Sequence, residues 1–222
     1  MSIVIRQLGL VDYARGLDIQ SVAAGEVRDG GLKGIVLVLR HPPAITMGRR
    51  TDPAEVHATG QELLDMGIEL HRVDRGGGAT WHYPGQAVVY PVISLSRTKM
   101  DVAGVISLLG DSVLDVLGRH GIEAEWDQKR PGAYVEGAKI ASVGLHLSRD
   151  VITHGLALNV GPDLRGFSLM DPCKEAGLKV TCMASLIPGP LDPDEVGMEL
   201  AQSFLRGLGH GSVKVARARD FH

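Results

Sequence analysis

The chain has 222 residues, 44% of them hydrophobic and 22% charged, an ordinary composition for a globular protein with a full core. A net charge of −3 offers no global basic field for nucleic acid, and no apolar run approaches the ~18 residues of a membrane span. Two cysteines, Cys173 and Cys182, are too few for a disulfide scaffold, and 29 glycines, about 13% against a usual ~7%, are far more than expected.

Strand-like runs occur in chain order at Ile3–Ile5, Gly34–Arg40, Ile68–Val73, Ala87–Ser94, Ile122–Trp126, Lys139–Leu147 and His154–Val160. Residues 11–29 form a weak helix candidate. Asp52-Pro53-Ala54-Glu55 carries a helix-start signal ahead of Val56, Leu63 and Leu64. The clearest helix lies between Asp101 and Arg119, with Val105, Leu109, Val113 and Val116 on one face and Gly121 at its end. Another begins at Asp192-Pro193 and continues through Val196, Leu200 and Phe204. Strands cluster in 68–160 without a helix between every pair, which predicts an α+β fold: a mixed, largely antiparallel sheet with packed helices. No repeat or linker-like shift in composition divides residues 1–222, so one domain is expected. Met1–Leu10 lacks a signal-peptide core, so the expected compartment is the reducing cytoplasm, where thiols stay free.

Three segments could carry chemistry. Arg75–Gln86 (RGGGATWHYPGQ) holds three successive glycines, which stabilise neither strand nor helix and suit a place where backbone approaches a ligand closely. Exposed N–H groups there, with Arg75, Thr80 and His82, could bind an anion or a carbonyl oxygen; a plain glycine-rich turn between strands is the competing reading. No nucleotide-binding glycine motif is present. In Gly132–Asn159, Lys139 sits inside an apolar strand, either facing inward or on a solvated face, and His154 precedes Gly155. In Met170–Leu186, Asp171-Pro172 gives Cys173 a turn-like, exposed setting, whereas Cys182 reads as a small buried hydrophobe. The cysteine spacing fits no zinc motif, and no metal is expected. A candidate thiol nucleophile remains, with Lys139 and His82 as separate basic groups.

Together the segments RHPPAITMGR (Arg40–Arg49), RVDRGGGATWHYPGQAVVYP (Arg72–Pro91), GAYVEGAKIASVGLHLSRDVITHGLALNV (Gly132–Val160) and DPC (Asp171–Cys173) resemble the lipoyl(octanoyl) transferase family. The resemblance implies a biotin/lipoate–protein ligase-like fold. It also implies transfer of an octanoyl group from octanoyl-acyl carrier protein, through a cysteine thioester, to a lysine of a lipoyl domain, with no cofactor. The implied acceptors are lipoyl domains of 2-oxoacid dehydrogenase complexes and the glycine cleavage H protein. Carried over by residue, Cys173 is the acyl-accepting nucleophile and Lys139 its partner. The acyl site is implied at Arg75, Gly76, Gly77, Gly78, Ala79, Thr80, Trp81 and His82, at Ser142, Val143 and Gly144, and at His154, Gly155, Leu156 and Ala157. Tyr83 and Lys174 stand where the family usually has glycine. Because the implied protein partners tend to be acidic, a local basic surface is expected from Arg40, Arg49, Arg50, Arg72 and Arg75. The alternatives are an ATP-dependent lipoate or biotin ligase, a lipoyl-domain amidotransferase, and a non-catalytic acyl-binding module.

Overall fold

The computed structural model describes residues 2–172, 177–209 and 214–217. Its elements run β1 (Ile3–Leu10), α1 (Tyr13–Arg28), β2 (Gly34–Arg40), β3 (Ala44–Met47), α2 (Gly60–Asp65), β4 (Glu69–Arg72), β5 (Ala79–His82), β6 (Gln86–Ser94) and α3 (Leu95–Thr98). There follow α4 (Val102–Arg119), β7 (Glu125–Asp127), β8 (Gly132–Val135), β9 (Ala138–Ser148), β10 (Val151–Asn159), α5 (Pro193–Gly207) and β11 (Lys214–Arg217).

The large sheet has the order β11-β1-β2-β6-β10-β9-β8-β7. β11–β1 and β1–β2 pair in parallel, and every pairing from β2 to β7 is antiparallel. A small sheet, β4-β3-β5, lies apart from it, with one parallel and one antiparallel pairing. The expected α+β architecture with a mixed, largely antiparallel sheet is what forms.

The hydrophobic pattern explains why helices cover both faces of the large sheet. β2 is apolar from Ile35 to Leu39, so it cannot leave either face in water. Val36 and Val38 point to a core with Val105, Leu109 and Val113 of α4 and Val196, Leu200 and Phe204 of α5. The alternate residues Ile35, Leu37 and Leu39 pack against Ala23, Ala24 and Val27 of α1. α4 begins where Asp101 accepts the Gly104 N–H at 2.7 Å, and α5 where Asp192 accepts the Asp194 N–H at 2.9 Å.

One helix start falls elsewhere than expected. Asp52 and Glu55 do form a reciprocal capping box, but it encloses only the 3₁₀ turn Pro53–Glu55. Val56 then turns extended and bridges Met170, which ends the turn. α2 starts at Gly60 under a second box, made by Thr59 and Glu62.

A third core lies beside the small sheet, where Ile45, Leu63, Ile68, Trp81, Tyr83, Phe167 and Met170 pack together. Trp81 is fully buried, stacks on Tyr83 at 10° between ring planes, and donates its indole N–H to Asp163 O at 3.0 Å. Tyr83, at the position where glycine is usual in the family it resembles, is buried as well, and its hydroxyl donates to Gly161 O at 2.7 Å. Gly166 lies flat against the indole, where a Cβ would overlap the ring. Gly166→Ala is expected to cost about 1–3 kcal/mol of stability through overpacking, measured as a lower denaturation midpoint.

Candidate active site

The site forms where β5, β9 and β10 meet beneath the glycine loop. A cavity of about 40 Å³ is lined by Arg75, Gly77, Gly78, Ala79, Thr80 and His82, by Lys139, Ser142, Val143 and Gly144, and by His154, Gly155, Leu156 and Ala157. Tyr13 and Tyr90 complete its wall. Two of the expected residues stand outside this lining. Trp81 points the other way, because successive side chains of β5 alternate: Thr80 and His82 face the cavity while Trp81 enters the third core. Gly76 lines an adjoining cavity instead. Cys173 and Lys174 lie outside the described residues.

Arg75 organises the loop. Its guanidinium is buried, with 7% of the residue exposed, and donates from Nη1 to Gly76 O and Gly78 O at 3.0 Å each. Nη2 donates to Thr46 O at 3.0 Å and to Thr46 Oγ1 at 2.7 Å. Gly77 is required by its φ of +91°, and the loop's carbonyls in turn require glycine at Gly144 and Gly48. A Cβ at Gly144 would sit 2.7 Å from Gly76 O, and one at Gly48 would sit 2.5 Å from Gly77 O. The Gly76 N–H is spent on Leu145 O at 2.9 Å, tying the loop to β9 rather than leaving that donor to a ligand.

Lys139 faces inward, with 4% of the residue exposed, and its ammonium lies 5.5 Å over the Tyr134 ring. Two features hold it. Segment 179–181 runs alongside β9, with Lys139 N–H donating to Lys179 O at 2.8 Å and Thr181 N–H donating to Lys139 O at 2.9 Å. On β8, Gly132 makes room for the stem: a Cβ there would lie 2.7 Å from Lys139 Cε.

His154 owes its position to a break in the sheet. Pro91 has no N–H to give, and the β6–β10 register is interrupted between Ile152 and Leu156. There His154 takes a left-handed backbone, φ +57°, and donates its N–H to Gln20 Oε1 at 2.6 Å. The adjacent Gly155 presses on Val89 O and Pro91, leaving no space for a side chain.

The closed side of the cavity is polar and uncharged. His82 Nδ1–H donates to Gln86 Oε1 at 2.8 Å, Gln86 Nε2 donates to Asn159 Oδ1 at 3.0 Å, and Asn159 Nδ2 donates to Thr181 O at 3.0 Å. This chain of bonds joins the cavity to the segment that braces Lys139. His41 Nε2 meets the Tyr90 hydroxyl at 2.8 Å. Burial, first, pushes His41 and His154 down to about 4, and it holds His82 well below its ordinary value. The Arg75 charge adds to this at His82 and His154.

Tyr13 and Tyr90 are the site residues that sequence reasoning missed. Tyr90 carried one usable signal: its place in a strict alternation with Val88 and Val92. The expected basic surface does not assemble as a unit. Arg75 is internal, Arg40 pairs with Asp194 at 2.9 Å, and Arg49 pairs with Asp74 at 3.2 Å. Cys182 is buried with a free thiol, as its apolar neighbourhood predicts.

Residues 12–205 match the lipoyl protein ligase A/B catalytic domain. The chain belongs to that family. Within it, an octanoyltransferase of Solibacter usitatus is 41% identical over 205 residues, covering 91% of each chain. One from Ectopseudomonas mendocina is 38% identical over 208 residues, covering 94% of this chain and 98% of its own. Among solved structures, the bipartite lipoate protein ligase of Thermoplasma acidophilum superposes with a TM-score of 0.75 at 20% identity, over 98% of this chain and 87% of that one. Lipoate-protein ligase A bound with ATP gives 0.72 at 19% identity, over 97% and 88%. These two likenesses establish the lipoate-ligase fold.

The neutral imidazoles have a consequence for stability. The unfolded chain takes up protons at histidine near pH 6.5, whereas His41 and His154 in the folded state do so only near pH 4. The contribution of these two histidines to folding stability is therefore fully present above about pH 6.5 and is lost as pH falls from there toward 4. Urea midpoints are expected to fall between pH 7.5 and 5.5, with a smaller fall in His154→Gln; equal falls would contradict the assignment.

Proposed function

We propose that this octanoyltransferase relative takes an octanoyl group from octanoyl-acyl carrier protein onto Cys173 and passes it to a lysine amine of a lipoyl domain, all within one domain spanning residues 1–222. The observation that carries the reading is the way the chain around residue 173 is anchored. Pro172 bridges Ala79 in the cavity wall, and Val180 bridges Lys139. Asp171 is fixed on the approach by its N–H to Glu55 O at 2.8 Å and by its carboxylate to His57 at 3.1 Å. Both ends of the segment that carries Cys173 are thus tied to residues of one cavity.

The chemistry then follows in balanced steps. A free thiol with a pKa of ≈ 8.5 is only a few per cent thiolate at pH 7, and an adjacent ammonium raises that fraction. The Cys173 thiolate attacks the donor thioester carbonyl, the carrier's sulfur leaves, and that sulfur takes the proton given up by Lys139. The neutral Lys139 amine then accepts a proton from the incoming lysine as it attacks the acyl-cysteine, which releases the Cys173 thiolate and the amide. Such base assistance is typically worth about 10²–10⁴-fold. Passing from thioester to thioester and then to amide needs no ATP. The glycine positions Gly77, Gly78, Gly144 and Gly155 in the cavity wall let an acyl chain lie close to the backbone.

Cys173→Ala is expected to abolish octanoylation of an apo lipoyl domain, while Cys182→Ala retains most of it. Lys139→Arg is expected to accept octanoyl yet release it slowly to the amine. Full activity in Cys173→Ala, or an absolute requirement for ATP, would contradict the reading.

Gly132→Ala is expected to press on Ala141 O of the paired strand as well as on the Lys139 stem, lowering the denaturation midpoint and slowing release to the amine in single-turnover kinetics.

A further inference from the structure

A second cavity, of about 420 Å³, adjoins the first, and Gly77, Gly78, Lys139, Val143 and Gly144 belong to both linings. Beyond this common wall its lining divides by chemistry. Val102 and Ile106 of α4 and Leu145 of β9 supply an apolar side. Arg50, Lys129 and Arg130 supply a cationic one, and among the described residues no carboxylate lines it.

The turn that presents two of these cations is preorganised by one residue. Asp127 Oδ1 accepts the Lys129 N–H at 2.8 Å and the Arg130 N–H at 3.1 Å, while Oδ2 accepts from Arg130 Nε at 2.8 Å. Asp127 thus compensates Arg130, which leaves Arg50 and Lys129 as the charges offered to a ligand. Arg50 is held to the glycine loop by its own N–H, which donates to Gly77 O at 3.4 Å.

A ligand complementary to this space reaches Lys139 with its reacting end and presents both an apolar stretch and an anionic group to the lining. We propose that the second cavity receives the pantetheine arm on which the carrier protein delivers the thioester, with Arg50 and Lys129 binding the arm's phosphodiester. This rests on the octanoyl-transfer reading above and adds to it the place where the donor arm lies. The acyl chain enters the first cavity, the arm occupies the second, and the thioester spans the wall at Lys139. Phosphate contacts of this kind are charge-assisted, a bidentate fork from Arg50 and a point charge from Lys129, so they position the arm without reading the carrier's surface.

Two free donors isolate the phosphate from the carrier: octanoyl-pantetheine and octanoyl-pantetheine 4′-phosphate. The wild-type enzyme is expected to show a KM about tenfold lower for the phosphorylated donor, equivalent to about 1.4 kcal/mol. Arg50→Gln/Lys129→Gln is expected to bring the two KM values together, and the charge-preserving Arg50→Lys/Lys129→Arg to restore the difference. A wild-type enzyme indifferent to the phosphate would overturn the proposal, as would a double variant that keeps the full preference. Loss of activity with the carrier protein alone, at equal KM for the two free donors, would also overturn it, because the cations would then serve the carrier's surface. Failure to accept octanoyl from any donor, carrier protein included, would instead remove the octanoyl-transfer reading on which it stands.

Discussion

A guanidinium buried between the glycine loop and β3 is the constraint on which the site depends. Buried charge is tolerated only when its donors are satisfied, and Arg75 meets that condition with carbonyls of its own loop and with Thr46. The loop folds back over its own arginine through Gly77, whose φ of +91° a residue with a side chain rarely adopts. The same charge reaches across the cavity to His82 and His154 and, together with burial, keeps both imidazoles neutral. The outcome is a cavity that sets neutral imidazoles against two cations, Arg75 and Lys139, with Lys139 bridged to Val180 on the far side of segment 173–176.

A second constraint comes from the sheet. Pro91 in the central strand cannot bond to β10, and the gap in pairing is where His154 leaves the extended conformation. Lys139 depends on a comparable local exception, the missing side chain of Gly132 one strand away. Both cases show side chains of the candidate site placed by what neighbouring residues lack. Such sites sit at places where local rules are broken, and the surrounding regular structure compensates for them.

How much of this was legible in the sequence depends on segment length and on which face of a strand is in question. β2, β9, α4 and α5 have patterns long enough to show their period, so their limits were foreseen to within a few residues. β3, β5, β8 and β11 have four residues each, with only two positions on either face, too few for alternation to register. The start signal at Asp52–Glu55 was real at the level of capping, yet the bridge from Val56 to Met170, a contact distant in sequence, ended that turn.

The site followed the same division. The glycine loop, Lys139, the Ser142–Gly144 run and the His154–Ala157 run stood out from their surroundings and do line one cavity. Trp81 was carried along by its neighbours although alternation turns it into a separate core. Tyr13 and Tyr90 come from a helix start and a buried strand that read as ordinary core, and only tertiary packing brings them to the cavity wall. The covalent step at Cys173 is the claim from which the remaining chemistry follows. Intact-mass measurement of the wild-type protein after incubation with octanoyl-acyl carrier protein, without acceptor, tests it most directly. The account predicts a gain of one octanoyl group, mapped to Cys173 and discharged when an apo lipoyl domain is added. An enzyme that stays unmodified throughout while the lipoyl domain becomes octanoylated would contradict it.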